Sequence, residues 1–363
     1  MSVNVSANDL LNVLSGLKDP IIGEPIGHKI KANDIALNGS KATIRFKPGY
    51  FCSAADQGAI QQQIEQLLAP QGITSVQLNW VNGVEKHKVQ DGLKPIETIK
   101  NIIAVASGKG GVGKSTTSVN LAIALAQSGA NVGILDADIY GPSQPLLLGL
   151  RGKPELDENK HMIPPKAHGV YVNSFGFLLN DDQAAIWRGP MVVQALNQLL
   201  SLTAWPELDY LIVDMPPGTG DIALSMAQKI PVAGSVIVTT PQDLALLDVR
   251  KGVDMFNKVN VPILGIVENM SVHVCSKCGH EEHIFGEHGG ENMAKTLKLP
   301  YLGGLPLAMQ VREFSDAGKP IVSADPQADA SQRYRLIARK VAINVSNQPL
   351  DMAHKFPPIV VKH

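Results

Sequence analysis

A chain of 363 residues is long for one hydrophobic core, so two domains are expected. Its 44% hydrophobic and 18% charged residues describe an ordinary soluble globular protein, and a formal net charge of −1 sets up no global field for nucleic acid or an anionic membrane. No apolar run is long enough to span a bilayer, the opening Met-Ser-Val-Asn-Val-Ser lacks the basic start and apolar core of a secretory signal, and three cysteines make a poor disulfide framework, so a reducing, cytoplasmic address is expected.

Residues 1–81 read as a small α/β domain. Leu10, Val13, Leu14 and Leu17 form a helical stripe that Asp19-Pro20 ends. From Lys41 to Lys47 the pattern alternates, with Ala42, Ile44 and Phe46 on one face of a strand. Ile60, Ile64, Leu67 and Leu68 mark a second helix, and Val76, Leu78 and Trp80 a second strand. Cys52 reads as a partly buried thiol. Across residues 82–100 the turn signals Asn82-Gly83, Asp91-Gly92 and Pro95 stand among charged residues, which predicts a linker.

From residue 101 to 363 strands alternate with helices, which predicts a mostly parallel sheet covered by helices on both faces. The expected strands are Ile102–Ala106, Val132–Leu135, Tyr210–Val213, Ser235–Thr239 and Ile263–Val267, each a short apolar run. Ligands of such sheets gather beyond the carboxyl ends of the strands, and the informative motifs follow these strands.

The first strand runs into Ser107-Gly-Lys-Gly-Gly-Val-Gly-Lys-Ser-Thr116, and a helix with Val119, Ala122, Ile123 and Ala126 on one face follows. Strand, glycine loop and helix is the context of a phosphate-binding loop. The expected cradle is Gly108, Lys109, Gly110, Gly111, Val112, Gly113, Lys114, Ser115 and Thr116. Its glycines let backbone N–H groups curl around phosphate, and the helix start favours an anion. Lys114 is expected to reach the β- and γ-phosphates of ATP, and the Ser115 hydroxyl to ligate Mg²⁺.

After the second strand, Asp136 and Asp138 stand one residue apart in Asp-Ala-Asp-Ile-Tyr-Gly-Pro-Ser143. One carboxylate can orient an attacking water while the other assists Mg²⁺; the alternative is that one of them caps the segment that follows. Asp214 closes the third strand, a Walker B placement, and Met-Pro-Pro-Gly-Thr-Gly-Asp221 follows as a plausible nucleotide-sensing switch. There Gly218 offers a backbone N–H to the γ-phosphate, while Asp221 caps the next helix or serves the site. Asn269, after the last strand, is a base-reading amide or a turn residue.

Cys275 and Cys278 follow directly, with His280 and His283 beyond. Cysteines three apart can face one metal, yet two thiolates do not complete a tetrahedral set. Two chains can each lend a pair to a [4Fe–4S] cluster; one chain can bind zinc through Cys275, Cys278, His280 and His283; or the pair is a redox dithiol. Two inert surface thiols are the remaining reading. The closing helical pattern from Gln332 through Lys340, with Tyr334, Ile337 and the adjoining Val341 among arginines and lysine, predicts a helix packed on the sheet; the alternative is a basic amphipathic end that binds membrane, which the narrow apolar face and the following Pro357-Pro358 disfavour.

Together these motifs resemble the Mrp/ApbC iron–sulfur carrier ATPases, P-loop NTPases with a deviant loop, and the likeness runs from about residue 100 onward. Trp187-Arg188-Gly-Pro-Met191 and Thr240-Pro-Gln-Asp243 also match that family's habit. The resemblance implies that Lys109 reaches the nucleotide of a homodimer partner, Asp138 activates water, Asp136 supports the metal side and Asn269 contacts adenine. It further implies ATP hydrolysis and a labile cluster on Cys275 and Cys278, received from an iron–sulfur assembly scaffold and passed to apoproteins. Neither nucleic acid nor membrane is an expected partner. The first domain is similar to a small iron–sulfur-assembly domain, in which Cys52 would touch a cluster in transit. Two related readings are a partitioning-type ATPase switch, which the thiol pair disfavours, and an electron-transfer reductase like nitrogenase iron protein.

Overall fold

The computed structural model describes residues 5–178, 189–275 and 277–352; the opening residues 1–4, Trp187, Arg188, Pro357 and Pro358 lie outside the described residues. Contacts divide the chain into two units, Met1–Glu85 and Lys86–His363.

In the first unit, α1 (Ala7–Leu14) and α2 (Ala54–Leu68) begin with capping boxes, in which Ser6 and Ser53 accept from the N–H of Asp9 and Asp56 and the two carboxylates accept in return. Each box satisfies two otherwise orphaned N–H groups. α1 stops at Leu14, short of Asp19-Pro20, because serine and glycine follow; Leu17 is nonetheless fully buried. β1 (Ile35–Asn38) and β2 (Lys41–Phe46) form an antiparallel hairpin, and β3 (Ser75–Trp80) joins β2 in parallel after the α2 crossover. Ala42, Ile44 and Phe46 point inward as the alternation requires, and the Phe46 and Trp80 rings meet edge-on at 5.2 Å. Cys52 is buried, its backbone N–H donating to Asn82 Oδ1 at 2.9 Å.

The second unit opens with β4 (Ile99–Ala106), α3 (Lys114–Gln127), β5 (Val132–Asp136) and the single turn α4 (Gln144–Leu147). Next come β6 (Lys166–Ala167), β7 (Val170–Ser174), α5 (Gly189–Ser201), β8 (Leu208–Asp214), α6 (Asp221–Lys229), β9 (Gly234–Thr239) and α7 (Asp243–Lys258). The chain continues through β10 (Ile263–Val274), β11 (Glu281–Glu282), α8 (Gly289–Leu297), β12 (Tyr301–Leu307), α9 (Met309–Asp316), α10 (Ile321–Ala324) and α11 (Asp329–Ser346).

Among the described residues these strands make one nine-stranded sheet. Its parallel body runs β7-β5-β8-β4-β9-β10-β12, and the short β6 and β11 add antiparallel edges to β7 and to the end of β10. The five expected strands lie within β4, β5, β8, β9 and β10. β7 and β12 were not anticipated, because Asn173-Ser174 and the Gly303-Gly304 and Pro306 interruptions break their apolar runs.

One face of the sheet, including Ile102, Ala104, Leu211, Val213 and Ile237, joins Leu196, Leu199, Met226, Val249 and Phe256 of α5, α6 and α7 in a single core. Strand alternation sends Ile103, Val105, Ile134 and Ile212 to the opposite face, where α3 and α11 pack. α11 buries Tyr334, Ile337 and Val341, as its periodicity predicts. None of the described helices is long and apolar enough to cross a membrane.

Much of the stretch expected as a linker bonds into the second unit. Lys88 N–H donates to Pro349 O, and Gln90 Nε2 donates to the carbonyls of Ala227 and Ile230 while its oxygen accepts from Val232 N–H. These bonds draw Lys86–Lys100 onto the edge of the larger core. Within that core Phe256 is fully buried. Phe256→Ala should cost the second unit about 3–5 kcal/mol, read as a lower urea midpoint for its unfolding transition.

Candidate functional site

β4 delivers the chain to the glycine loop, and α3 begins at Lys114 with Gly113 as its N-cap. Gly111 and Gly113 adopt φ of +81° and +82°, a region that a side chain disfavours. Space is equally restrictive. A Cβ on Gly113 would stand 2.1 Å from Asn269 Nδ2, and one on Gly108 would stand 2.5 Å from the backbone of Asp248 on α7. The loop is therefore wedged between α7 and β10. Asn269 Nδ2 donates to Val112 O at 2.9 Å, and Gly218, at φ +89°, donates its N–H to Ser107 O at 2.9 Å. Lys109 and Gly110 are exposed at the loop's crest.

Beneath the loop lies a buried polar centre. Lys114 Nζ donates to Asp214 Oδ1 at 2.7 Å, with the two side chains 6% and 0% exposed. Ser118 Oγ donates to the same oxygen at 2.9 Å, and Gln144 Nε2 donates to Asp214 Oδ2 at 2.9 Å and to Ser115 O at 3.0 Å. Lys114 Nζ also lies 3.4 Å from Ser115 Oγ. A buried ion pair is tolerable only when further hydrogen bonds satisfy it, as these donors do for Asp214.

Asp136 is fully buried and caps α4: its carboxylate accepts from Ser143 N–H at 2.8 Å, Gln144 N–H at 3.0 Å, Ser174 Oγ at 3.0 Å and Asp138 N–H at 3.2 Å. Burial, aided by the charge of Asp214, pushes its pKa up to about 7. Asp138 accepts from Tyr140 and Gly141 N–H, each at 3.3 Å. Burial raises its pKa also, opposed by Lys114. Asp221 is the first residue of α6, with Gly220 as the N-cap, so it serves the helix through its charge rather than through a capping hydrogen bond. The glycine loop, Asp136, Asp138, Asp214 and Gly218 thus converge at the carboxyl ends of β4, β5 and β8, and Asn269 joins them from the middle of β10. Gln144 and Ser118 complete the same centre and carry no motif signal in the sequence.

Cys275 and Cys278 lie elsewhere, at the tip of the β10–β11 hairpin. Cys275 N–H donates to His280 O at 2.9 Å and Gly279 N–H to Cys275 O at 2.8 Å, a tight knuckle that leaves Cys275 half-buried and Cys278 exposed. Backbone N–H groups of Lys277 and Cys278, with the Cys278 thiol, hold the Cys275 pKa below its ordinary value. Among the described residues no three His, Cys, Asp or Glu side chains gather into a metal site. His283 instead pairs its Nδ1 with Ser271 O at 2.9 Å and lies 3.7 Å from Glu287 through Nε2, so the single-chain zinc set is not assembled. Five residues of β10 separate Asn269 from Cys275, a span of no more than about 20 Å.

Residues 98–342 match a family described as the ParA-type NUBPL iron-transfer P-loop NTPases. The chain belongs to this family. It is similar to an iron–sulfur cluster carrier protein of Pseudomonas fragi, 58% identical over 74% of this chain and 94% of the relative. A protein of the same description from Synechocystis is 39% identical over 94% of this chain and 98% of the relative. The mouse iron–sulfur cluster transfer protein NUBPL is 52% identical over 70% of this chain and 81% of the relative. Among solved structures, a nucleotide-binding protein of Archaeoglobus fulgidus in complex with ADP superposes with a TM-score of 0.58 at 37% identity, covering 65% of this chain and 92% of that one. The cell-division ATPase MinD of Pyrococcus furiosus, at 24% identity and TM-score 0.52, shares the fold.

The Asp136 environment has a measurable consequence. An acid whose folded pKa lies above its unfolded value binds more protons when folded, so stability is fully present at low pH and is lost as pH rises from about 4 to about 7. Wild type should lose more unfolding free energy between pH 5 and pH 8 than Asp136→Asn, as measured by urea titration at the two pH values.

Proposed function

We propose that this chain is an ATP-hydrolysing carrier that binds a [4Fe–4S] cluster between two copies of itself and hands it to apoproteins. The observation that carries the reading is the Cys275–Cys278 knuckle: a metal-ready pair, incomplete by itself, on the same strand whose Asn269 ties down the glycine loop. A two-fold axis through two such hairpins would supply the four thiolates a cluster needs. The family's iron-transfer description and the relatives' names support a cluster as cargo.

On the nucleotide side, Lys114 exchanges Asp214 for the β- and γ-phosphates, and N–H groups of Gly110 through Ser115 cradle them. Ser115 Oγ and Asp214 are the groups that fit Mg²⁺, which neutralises phosphate charge when bound. Asp138, poised by its two backbone N–H partners, orients the attacking water, and Gly218 meets the γ-phosphate by giving up the Ser107 carbonyl that its N–H holds. In this reading Lys109, exposed at the crest, acts on the partner copy's nucleotide, and Asn269 reads adenine. Asp136 holds the loop that carries Asp138. The stage in this reading is the cytoplasm, with an assembly scaffold as donor and neither membrane nor nucleic acid involved. The first unit and Cys52 belong to cluster handling in this reading.

Anaerobic reconstitution should give brown protein with about one [4Fe–4S] per two chains, and Cys275→Ala should abolish cluster binding while sparing ATP binding; colourless protein holding one zinc per chain would refute the shared cluster. Lys114→Ala, confirmed folded by circular dichroism, should show no ATP binding at concentrations that saturate wild type. Unchanged affinity would remove the phosphate-loop assignment.

A further inference from the structure

Gln144 opens α4 with its side chain fully buried. It bonds to three separate parts of the nucleotide centre: Nε2 to Ser115 O at 3.0 Å and to Asp214 Oδ2 at 2.9 Å, and its backbone N–H to Asp136 Oδ2 at 3.0 Å. Two acceptors beside Nε2 fix the amide's orientation, because a flipped amide would set its oxygen against a carbonyl and a carboxylate. Oε1 is left buried with no hydrogen-bond partner, and so is Ser143 Oγ next to it in the chain. Native proteins rarely keep a buried amide oxygen unpaired without a functional reason.

The surroundings select the missing partner. Asp136 and Asp214 are acceptors, and the Lys114 ammonium is engaged with Asp214. An unused acceptor in the company of two buried carboxylates and the Ser115 hydroxyl suits a donor that arrives with positive charge. Mg²⁺ is such a guest, since it retains several waters that donate strongly. We infer that Gln144 is a positioning residue for the magnesium of bound nucleotide. Nε2 steadies Asp214 through Oδ2 and leaves Oδ1 available once Lys114 departs, while Oε1 accepts from the hydrated ion. Its backbone bond to Asp136 carries the same constraint into the loop of Asp138. This inference rests on the assignment of the site to ATP and Mg²⁺.

The test compares the full chain with Gln144→Leu and with Gln144→Met, which is unbranched and fills the same length. Affinity for a fluorescent ATP analogue is measured in EDTA and across a MgCl₂ titration, and the readout is the gain in affinity that Mg²⁺ brings. Both variants should lose about tenfold of that gain relative to wild type, the size expected for a hydrogen bond to a charged group. An undiminished gain, or a loss of equal size in EDTA and in Mg²⁺, would overturn the role of Gln144, the latter outcome marking a purely structural residue. Wild type that binds no nucleotide under either condition would instead overturn the ATP assignment itself. A measurement on wild type alone stands beside these: Mn²⁺ added with ATP should broaden the Gln144 side-chain amide resonance beyond detection, and a sharp resonance would count against the inference.

Discussion

The Lys114–Asp214 pair is the constraint on which the larger unit's polar centre is built. It joins the start of α3 to the end of β8 across the carboxyl edge of the sheet, in a region sealed from water. Such a pair survives only if its remaining hydrogen-bonding capacity is met, and Ser118 and Gln144 meet it for Asp214. Gln144 in turn fixes Ser115, and through its backbone it fixes Asp136, so the glycine loop, β5 and β8 hold one another in register. The centre is closed on its own hydrogen bonds. Its lysine rests on an internal anion, and an incoming polyanion has to outbid a carboxylate for it.

Much of this was legible in the sequence because the relevant physics is local. A glycine loop between an apolar strand and a helix, an aspartate closing a strand, and two cysteines three apart are short-range patterns, and Gly113, Asp214 and Cys275 lie where those patterns place them. The buried parallel strands were readable for the same reason. Gln144 was not, since its importance arises only when β8 and α3 fold against α4, and its sequence neighbours look like an ordinary turn. Asp248 was equally silent: its backbone, not its side chain, confines Gly108. Gly303-Gly304 hid β12, whose pairing with β10 overrides weak strand propensity. Gln90 looked like linker because its value lies in three hydrogen bonds to residues about 140 positions away.

The nucleotide centre and the cysteine knuckle are parts of one strand's path. β10 pairs with β9 along its first half, then passes Asn269 and a register shift at Met270, where φ is +56°. Beyond that irregularity it pairs with β12 at Val272 and His273, and with β11 at His273 and Val274. β12 accompanies β10 on both sides of this irregular joint, at Ile266, Val267 and Glu268 and again at Val272 and His273, so the two regions of the strand share one neighbour.

That anchoring bears on how a shared metal would behave. A knuckle hung on a slack tether would let two chains meet at any angle, and the metal would report nothing about their posture. Here the strand reaches Cys275 through His273, which pairs with β12 on one side and β11 on the other, and Val274, which pairs with β11. Four sulfurs drawn from two such hairpins, as proposed above, would feel a rotation of one chain against the other through a paired strand end rather than through a free-swinging loop.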